Sequence, residues 1–240
     1  MIAIIGRGNV ASHLYEALKR HTEVCLVNPR TLEGLPADAD VVLVSVSDDA
    51  IKEVAEKLPR GNAIIAHTSG SVPMSALEGA GEKIGVFYPL QTFTKGVDMD
   101  YSEIPVFIEG SSPQVSETLK NLAAKFSENV READSATRKQ LHLASVFSCN
   151  FTNALADIAD GLLSETGLDI SVLVPLMKRT VDKLRFLSPK ESQTGPAVRG
   201  DKKVIEEHLR MLEAKPELRE LYARLSDMII SRHKPKQNPT

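Results

Sequence analysis

The first eleven residues constrain the fold of this chain more than any other stretch. An apolar run, Met1 to Ile5, leads directly into Gly6-Arg7-Gly8-Asn9-Val10-Ala11, and helical periodicity follows. A strand, a glycine turn and a helix in this order are the context in which a GxGxxA pattern predicts a dinucleotide-binding turn. Gly6 permits the tight turn, Gly8 lets backbone N–H groups approach a pyrophosphate, and Ala11 lets helix and strand pack closely. The alternative is a plain strand–helix turn without a ligand.

The end of the second predicted strand, Glu23 to Asn28, bears on which dinucleotide would bind. At this point a carboxylate accepts a hydrogen bond from the ribose 2′-OH of NAD, whereas an arginine suits the 2′-phosphate of NADP. The chain has Asn28 there, no acidic residue at the critical position, and Arg30 two residues later. The sequence therefore favours NADP over NAD as the cofactor, unless Arg30 is merely a solvated loop cation.

Strands and helices alternate as far as residue 133 and predict a mostly parallel α/β sheet. Only about a dozen residues separate Asn28 from the next predicted strand, Val41 to Val46, and a crossover helix plus another strand needs more chain than that. We therefore expect the second helix to be reduced to a turn and the usual third strand to be missing. The adenine end of the site would then be unusually open.

Helical patterns replace strands in the second part of the chain. Thr137 to Leu163 predicts one long helix, apolar on most sides and therefore buried. Leu173 to Leu187 predicts a second helix, and Pro189 to Asp201 a loop. The fold class is thus α/β, with a Rossmann-like domain over residues 1–133, an all-helical domain over 134–232 and a disordered tail over 233–240.

Composition excludes several classes of function. The sequence is 42% hydrophobic and 25% charged, which is ordinary for a globular protein, and its net charge of −3 without a basic cluster argues against nucleic-acid binding. Two cysteines without a CxxC pair, and no signal peptide, predict a cytoplasmic protein. No apolar run is long enough to span a membrane, and the six histidines lack the spacing of metal ligands.

Ligands sit at the carboxyl ends of parallel strands in sheets of this kind. Val46 and Ser47 end one predicted strand and are therefore expected to line the cofactor site. Asp48 follows them and could instead cap the next helix. Ser69 follows another strand and could bind the nicotinamide half or the substrate, or likewise serve as a helix cap.

Three residues are candidates for action on a substrate. His67 could donate a proton to a carbonyl as hydride arrives, because a histidine pKa can be set near neutrality; the alternative is a structural histidine. Gln91 cannot titrate and would bind the substrate rather than transfer protons. Asn150 belongs to a polar strip on the long helix that could face a substrate or form a buried hydrogen-bonding network. The strip comprises His142, Asn150, Asn153 and Asp157.

Several stretches together resemble a bacterial family of NADP oxidoreductases in which a Rossmann-like domain precedes a helical domain known as DUF2520. These stretches are GRGNVASHL, HTSGSVPMSAL, GVFYPLQTF, LHLASVFSCNFTNAL and QTGPAVRGD. The family is related to the 6-phosphogluconate dehydrogenase-like, pyrroline-5-carboxylate reductase and prephenate dehydrogenase groups. The resemblance implies a homodimer formed by the C-terminal helices, which would also close the active site.

Two departures limit what the resemblance implies about catalysis. The β-hydroxyacid dehydrogenases carry a lysine one turn before an asparagine on the long helix, whereas Val146 and Phe147 stand at that distance before Asn150. Prephenate dehydrogenases have His-Pro-Met where this chain has Tyr88-Pro89-Leu90. The resemblance therefore implies a cofactor and a dimer without implying a particular substrate.

The sequence leaves functions of different classes open. One is an NADP-dependent oxidoreductase that transfers hydride between the nicotinamide and a small carbonyl or imine substrate. The alternative is a non-catalytic dinucleotide-binding redox sensor that acts through a helical dimer, which the missing lysine and histidine favour. A third possibility is hydride exchange with a deazaflavin.

Overall fold

The structure, a computed structural model, describes residues 1–233, and the chain folds as two compact units. The first unit comprises Met1–Leu155, and the second begins at Ala156. The predicted domain boundary after residue 133 stays a prediction. Of the predicted tail, 233–240, only His233 belongs to the described residues, and it is the last residue of a helix.

A seven-stranded sheet forms the centre of the first unit. The strands are β1 (Ile2–Ile5), β2 (Val24–Val27), β3 (Val41–Val44), β4 (Ile64–His67), β5 (Ile84–Pro89), β6 (Val106–Gly110) and β7 (Val130–Glu132). Their order across the sheet is β2-β1-β3-β4-β5-β6-β7. All pairs are parallel except β5–β6, which is antiparallel. The prediction of a mostly parallel α/β sheet is therefore confirmed.

Helices follow most strands and make up most of the second unit. They are α1 (Asn9–Leu18), α2 (Ile51–Lys57), α3 (Pro113–Ala123), α4 (Ser135–Ser145), α5 (Phe151–Leu163), α6 (Val174–Asp182), α7 (Pro189–Ser192), α8 (Pro196–Arg199), α9 (Lys202–Met211) and α10 (Pro216–His233). A π-helical segment, Val146–Asn150, joins α4 to α5. No helix within residues 1–233 combines the length and the apolar character that crossing a bilayer requires.

The connection from β2 to β3 contains no helix, as the short spacing predicts. Strand β1 lies between β2 and β3, so the chain leaves β1 on one side and returns to its other side. A six-stranded doubly wound sheet would have a further strand beyond β2. The missing strand confirms the prediction and leaves β2 at the edge. The reversal of strand order around β1 is the point where such sheets bind ligands.

Both faces of the sheet are buried, which explains why the strands read as continuous apolar runs. Ile2 and Ile4 pack with the apolar side chains of α1 and α3 on one face. Ala3 and Ile5 pack with those of α2 on the other face. This arrangement holds the carboxyl end of β1, and the glycine turn that follows it, in one position.

Every residue from Ser135 to Leu163 is helical, so the prediction of one long helix over Thr137–Leu163 is confirmed, whereas the prediction that this helix is buried is wrong for the single chain. The π-helical segment lies within the helix, so residues after the segment are rotated relative to those before it. The side chains of Leu143, Phe147 and Phe151 are exposed by 51%, 63% and 47%.

The prediction of a loop over Pro189–Asp201 is wrong in part, because this stretch contains the single-turn helices α7 and α8. Ser188 begins α7 with a capping box in which its hydroxyl and the Glu191 carboxylate each accept a bond from the other residue's backbone N–H. A proline follows immediately in the first turn, where its fixed φ favours the helix. The capping signals outweigh the turn-forming composition.

Candidate functional site

The glycine turn between β1 and α1 contains two glycines with different surroundings. Gly6 has φ +152°, and a Cβ there would overlap the Ser45 carbonyl oxygen and lie 3.2 Å from the Ala11 Cβ. The turn therefore requires glycine at this position. Gly8 has φ −78°, which any residue adopts, and a Cβ there would meet no atom within 4 Å. The packing of the chain does not require Gly8, so the open space beside it is available to a ligand.

The N-terminus of α1 is suited to an anion. Gly8 is its N-cap and has no side chain to accept from the first N–H groups, and the first turn contains no acidic residue. Uncapped N–H groups and the helix dipole both favour negative charge at such a terminus. Backbone groups at Gly8, Asn9 and Val10 could thus hold a pyrophosphate.

A cavity of about 660 Å³ extends from the glycine turn along the carboxyl edge of β2, β3 and β4. Nine of the eleven predicted cofactor-binding residues line it: Gly6, Arg7, Gly8, Asn9, Val10, Arg30, Val46, Ser47 and Ser69. Ala11 does not line the cavity, because it is fully buried where α1 packs on the sheet. Asn28 does not line it either; its side-chain oxygen accepts a hydrogen bond from the Arg30 backbone N–H at 3.0 Å and shapes the turn.

The end of the cavity beside β2 carries two exposed arginines, Arg7 and Arg30. Neither forms an ion pair with any residue in the described range 1–233. The carboxylate of Glu53, also in the wall, is paired with the Lys57 ammonium at 2.5 Å. Two guanidinium groups without an ion-pair partner within residues 1–233 give the cavity wall a positive character that suits a phosphate.

The loops that follow β3 and β4 are joined by side-chain hydrogen bonds. The Ser71 hydroxyl donates to the Asp48 carboxylate, and the Ser69 hydroxyl accepts from the backbone N–H groups of Ser71 and Val72, each at 3.1 Å. The alternative of helix caps is therefore wrong for Asp48, whose carboxylate binds Ser71. The Ser69 hydroxyl closes a turn in its own loop, and Ser69 lines the cavity.

His67 ends β4 and is fully buried. Its Nδ1 accepts a hydrogen bond from the Ser69 backbone N–H at 3.2 Å, and its Nε2 has no partner within residues 1–233. Burial, and then the positive charge of Arg138, lower the pKa of His67 to about 4. The expectation of a pKa near neutrality is therefore wrong, because the strand end places this imidazole inside the protein. His67 is a neutral side chain at physiological pH, and its catalytic role stays a prediction.

Arg138 on α4 is the most buried charged side chain of the site region, with 1% of its surface exposed. Its guanidinium forms an ion pair with the Glu109 carboxylate and donates to the carbonyl oxygens of Ser69 and Val72 at 3.2 and 2.5 Å. The Ser135 hydroxyl also donates to Glu109 at 2.8 Å. These bonds tie the loop after β4 to α4 and to β6, and so hold the Ser69 wall of the cavity in place.

Tyr88 and His142 form a second polar pair next to this loop. The Tyr88 hydroxyl lies 3.1 Å from His142 Nδ1, with the two rings edge to face. A Cβ at Gly70 would lie 2.6 Å from the Tyr88 ring and 2.7 Å from His142 Nδ1. Gly70 is therefore required for the pair to lie against the loop backbone.

The remaining predicted substrate residues do not line the cavity. Asn150 is exposed on the π-helical segment, and Asn153 and Asp157 are exposed on α5. The alternative of a buried polar network between helices does not hold within residues 1–233, because only His142 of the strip has a buried partner there. A polar network between subunits stays a prediction. Gln91 is exposed and its side-chain oxygen accepts from the Thr92 backbone N–H at 2.8 Å. The substrate-binding roles of Asn150 and Gln91 stay predictions.

Sequence reasoning missed Arg138, Glu109 and the role of Tyr88. An arginine in the first turns of a helix is usually solvated, and Glu109 alternates with apolar residues as on any half-exposed strand. The one usable signal was Gly70, the single glycine of the loop after β4, because a side chain at this position would collide with Tyr88 and His142. These two residues could not be paired from the sequence, because they are 54 positions apart.

Comparisons with known proteins agree with this architecture. The DUF2520 family, described as a domain of unknown function, matches residues 104–229. A Bacteroides fragilis protein named as a candidate NADP oxidoreductase is 40% identical over 96% of this chain and 98% of its own, with a TM-score of 0.89. A Thermotoga maritima protein is 25% identical, with 99% and 100% of the two chains covered and a TM-score of 0.74.

A more distant likeness concerns the fold alone. A Plasmodium falciparum pyrroline carboxylate reductase, solved with NADP bound, is 13% identical over 97% of this chain and 98% of its own, with a TM-score of 0.60. No curated protein matches the sequence significantly. Because the family match spans more than half of the chain and the Bacteroides relative is similar along nearly its whole length, the chain belongs to the DUF2520 family.

Proposed function

We propose that this protein is an NADP-dependent oxidoreductase that transfers hydride between the nicotinamide and a small carbonyl or imine substrate. The observation that carries the proposal is the open space beside Gly8, at the uncapped N-terminus of α1. The fold itself does not need a glycine there, whereas a pyrophosphate approached by backbone N–H groups does. The name of the Bacteroides relative, an NADP oxidoreductase, supports the proposal.

The residues of the cavity fit the parts of this cofactor. Backbone N–H groups of the Gly6–Ala11 turn would hold the pyrophosphate, and the guanidinium groups of Arg7 and Arg30 would hold the 2′-phosphate. Val46, Ser47 and Ser69 would line the path toward the substrate. The bound nicotinamide supplies the hydride; the chain supplies binding, orientation and the proton.

At the substrate end, Gln91 and Asn150 are proposed to position the substrate through their amide groups. Burial and neutrality at His67 favour a role in holding the Ser69 loop over proton donation. We further infer that two copies of the chain associate through the apolar face of α4 and α5, where Leu143, Phe147 and Phe151 are exposed. A second copy would cover this face and close the site.

A comparison of four nucleotides tests the cofactor assignment. Thermal unfolding is measured with NADPH, NADP+, NADH and NAD+ at equal concentration. A ligand at a hundred times its Kd stabilises the native state by about 2.7 kcal/mol, so the phosphorylated nucleotides should raise Tm by several degrees and the others by less. Stabilisation by NADH that exceeds that by NADPH would contradict the assignment of Arg30.

Two variants make this comparison specific to the site. Gly8→Val should unfold at the same temperature as the wild type without ligand, because its Cβ meets no atom, yet it should gain no stability from NADPH. Arg30→Gln should weaken NADPH at least about tenfold and leave NADH unchanged, because one charge-assisted bond to the 2′-phosphate is lost. Normal NADPH binding by Gly8→Val would rule out the glycine turn as the pyrophosphate site.

A non-catalytic redox sensor is the second candidate. It is favoured by Val146 and Phe147, which stand where related dehydrogenases carry a catalytic lysine, and by the exposed apolar face beside them. Oxidation of NADPH against a panel of small carbonyl compounds separates the two functions. Turnover identifies an enzyme, whereas nucleotide binding that changes the oligomeric state without turnover identifies a sensor.

A further inference from the structure

The pair of Tyr88 and His142 is the polar group of the site region for which the proposed function has so far given no role. Tyr88 lies at the end of β5, the strand next to β4, and its hydroxyl is 3.1 Å from His142 Nδ1 on α4. Both side chains lie against the backbone of Gly70, which follows directly after Ser69 in the cavity wall. The pair therefore lies next to the cavity wall at Ser69, although neither side chain lines the cavity itself.

Reduction of a carbonyl needs a proton at the oxygen as well as a hydride at the carbon. Among the polar groups near this part of the cavity wall, the His67 imidazole is fully buried and neutral, and the Asp48 carboxylate is bound to Ser71. The Tyr88 side chain is also buried, with 8% of the residue exposed. A phenol keeps its proton at neutral pH and can release it to a developing alkoxide. Burial raises the pKa of Tyr88, an effect opposed by hydrogen bonding from Ser145 and by the charge of Arg138.

We propose that Tyr88 is the proton donor of the reduction. His142 is the positioning residue that orients the Tyr88 hydroxyl and returns a proton to it. This inference rests on the proposed function. The carbonyl carbon accepts the hydride of NADPH while its oxygen accepts the Tyr88 proton; the C=O π bond breaks and a C–H and an O–H bond form. The products are the alcohol, or the amine from an imine, and NADP+. The tyrosinate then takes a proton from the half-exposed His142, and His142 takes a proton from solvent in its place.

The chain contains a matched control for this pair. Tyr101 and His13 form a similar contact, with the hydroxyl 3.0 Å from Nδ1 of His13, which lies on α1, and neither residue lines the cavity. A Tyr101→Phe variant removes the same atom as Tyr88→Phe, and the two tyrosines are equally buried, each with 8% of its surface exposed. An effect specific to Tyr88 is therefore separated from the general loss of a buried tyrosine–histidine bond.

The first measurement needs no substrate. The four tyrosines are replaced biosynthetically by fluorotyrosine, whose phenol titrates at lower pH, and each fluorine resonance is assigned from its Tyr→Phe variant. The Tyr88 resonance should titrate at lower pH with NADP+ than with NADPH, because the positive ring of the oxidised cofactor stabilises a nearby phenolate. The Tyr101 resonance should titrate identically with both. Equal titration of Tyr88 with both nucleotides at saturation would overturn the assignment.

The second measurement is NADPH oxidation with a panel of small aldehydes, 2-oxo acids and cyclic imines. For any compound that the wild type reduces, Tyr88→Phe should lower kcat at least about 100-fold with an unchanged Kd for NADPH, and Tyr101→Phe should not. His142→Gln should shift the pH dependence of kcat. Turnover that survives in Tyr88→Phe overturns this inference alone. A wild type that binds NADPH but reduces none of the compounds overturns the proposed function and the proton-donor role with it.

Discussion

At the scale of single residues, Gly6 and Gly8 differ in the reason why glycine is present: the fold requires one, and nothing in the fold requires the other. Gly6 is needed because β3 runs so close that the Ser45 carbonyl occupies the space of a side chain. Gly8 has an ordinary φ and an empty neighbourhood, so nothing within the fold selects it. The first glycine therefore serves the fold, and the second serves the ligand for which we propose this site.

His67 gives a prediction of pH dependence at the same scale. Its pKa is lowered to about 4 in the folded protein and is 6.5 in the unfolded chain, so the unfolded state binds its proton first as pH falls. The resulting stability is present above pH 6.5 and is lost between pH 6.5 and 4. From about pH 7 to about pH 5 this one residue should remove about 2 kcal/mol of the free energy of unfolding.

Urea unfolding of the wild type, His67→Gln and His21→Gln at the two pH values measures this effect. The His67 variant should lose about 2 kcal/mol less stability than the wild type on acidification. His21 is exposed on the turn after α1, so its variant should follow the wild type. An equal loss in all three proteins would show that His67 titrates normally.

At the scale of elements, α4 and the loop after β4 are held together by one buried guanidinium. Arg138 reaches two backbone carbonyls of the loop and the carboxylate of Glu109 on β6. Arg138→Met should lower the free energy of unfolding by about 3 kcal/mol, because it leaves the Glu109 carboxylate without its ion-pair partner and the two carbonyls without this donor. Denaturant titration measures the loss.

Two further observations make the Arg138 prediction specific. Lys19→Met, which removes an exposed partner of Glu16, should change stability little. In Arg138→Met the pKa of His67 should rise, because the positive charge that helps to lower it is gone. Unfolding between about pH 7 and about pH 5 should then depend less on pH. A variant with unchanged stability and unchanged pH dependence would contradict the role assigned to Arg138.

At the scale of the whole molecule, the exposed apolar face of α4 and α5 leads to a prediction about assembly. We expect a homodimer that buries Phe147 and Phe151, whose rings pack edge to face at 5.0 Å. Phe147→Glu should weaken association by about 2 kcal/mol, or roughly 30-fold in Kd, because a charge would enter an apolar interface. Sedimentation equilibrium measures the constants.

Val97→Glu is the matched control for the assembly prediction. Val97 is exposed by 57%, close to the 63% of Phe147, but it lies on the loop between β5 and β6. Its variant should associate like the wild type. A wild type that remains monomeric at micromolar concentration would exclude the dimer.

Local patterns were sufficient for much of the architecture and for one part of the site. The apolar runs predicted the buried strands, and the spacing from Asn28 to Val41 predicted the missing strand. The glycine pattern located the cavity, because a turn of this kind is made by contiguous residues and carries its geometry in its own sequence. Arg30, two residues beyond the predicted strand end at Asn28, lines the cavity as predicted, for the same reason.

Tertiary packing decided the features that depend on residues far apart in the sequence. The burial that lowers the His67 pKa depends on neighbouring strands and on Arg138, 71 positions away in the numbering. The contact of Tyr88 with His142 depends on how α4 lies against the loop at Gly70. Apolar periodicity predicted a buried long helix, whereas its apolar face is exposed in the single chain. The sequence by itself thus determined the glycine turn beside which the cavity lies, because that geometry is local; long-range packing decided the burial and the partners of the side chains that could hold or release a proton.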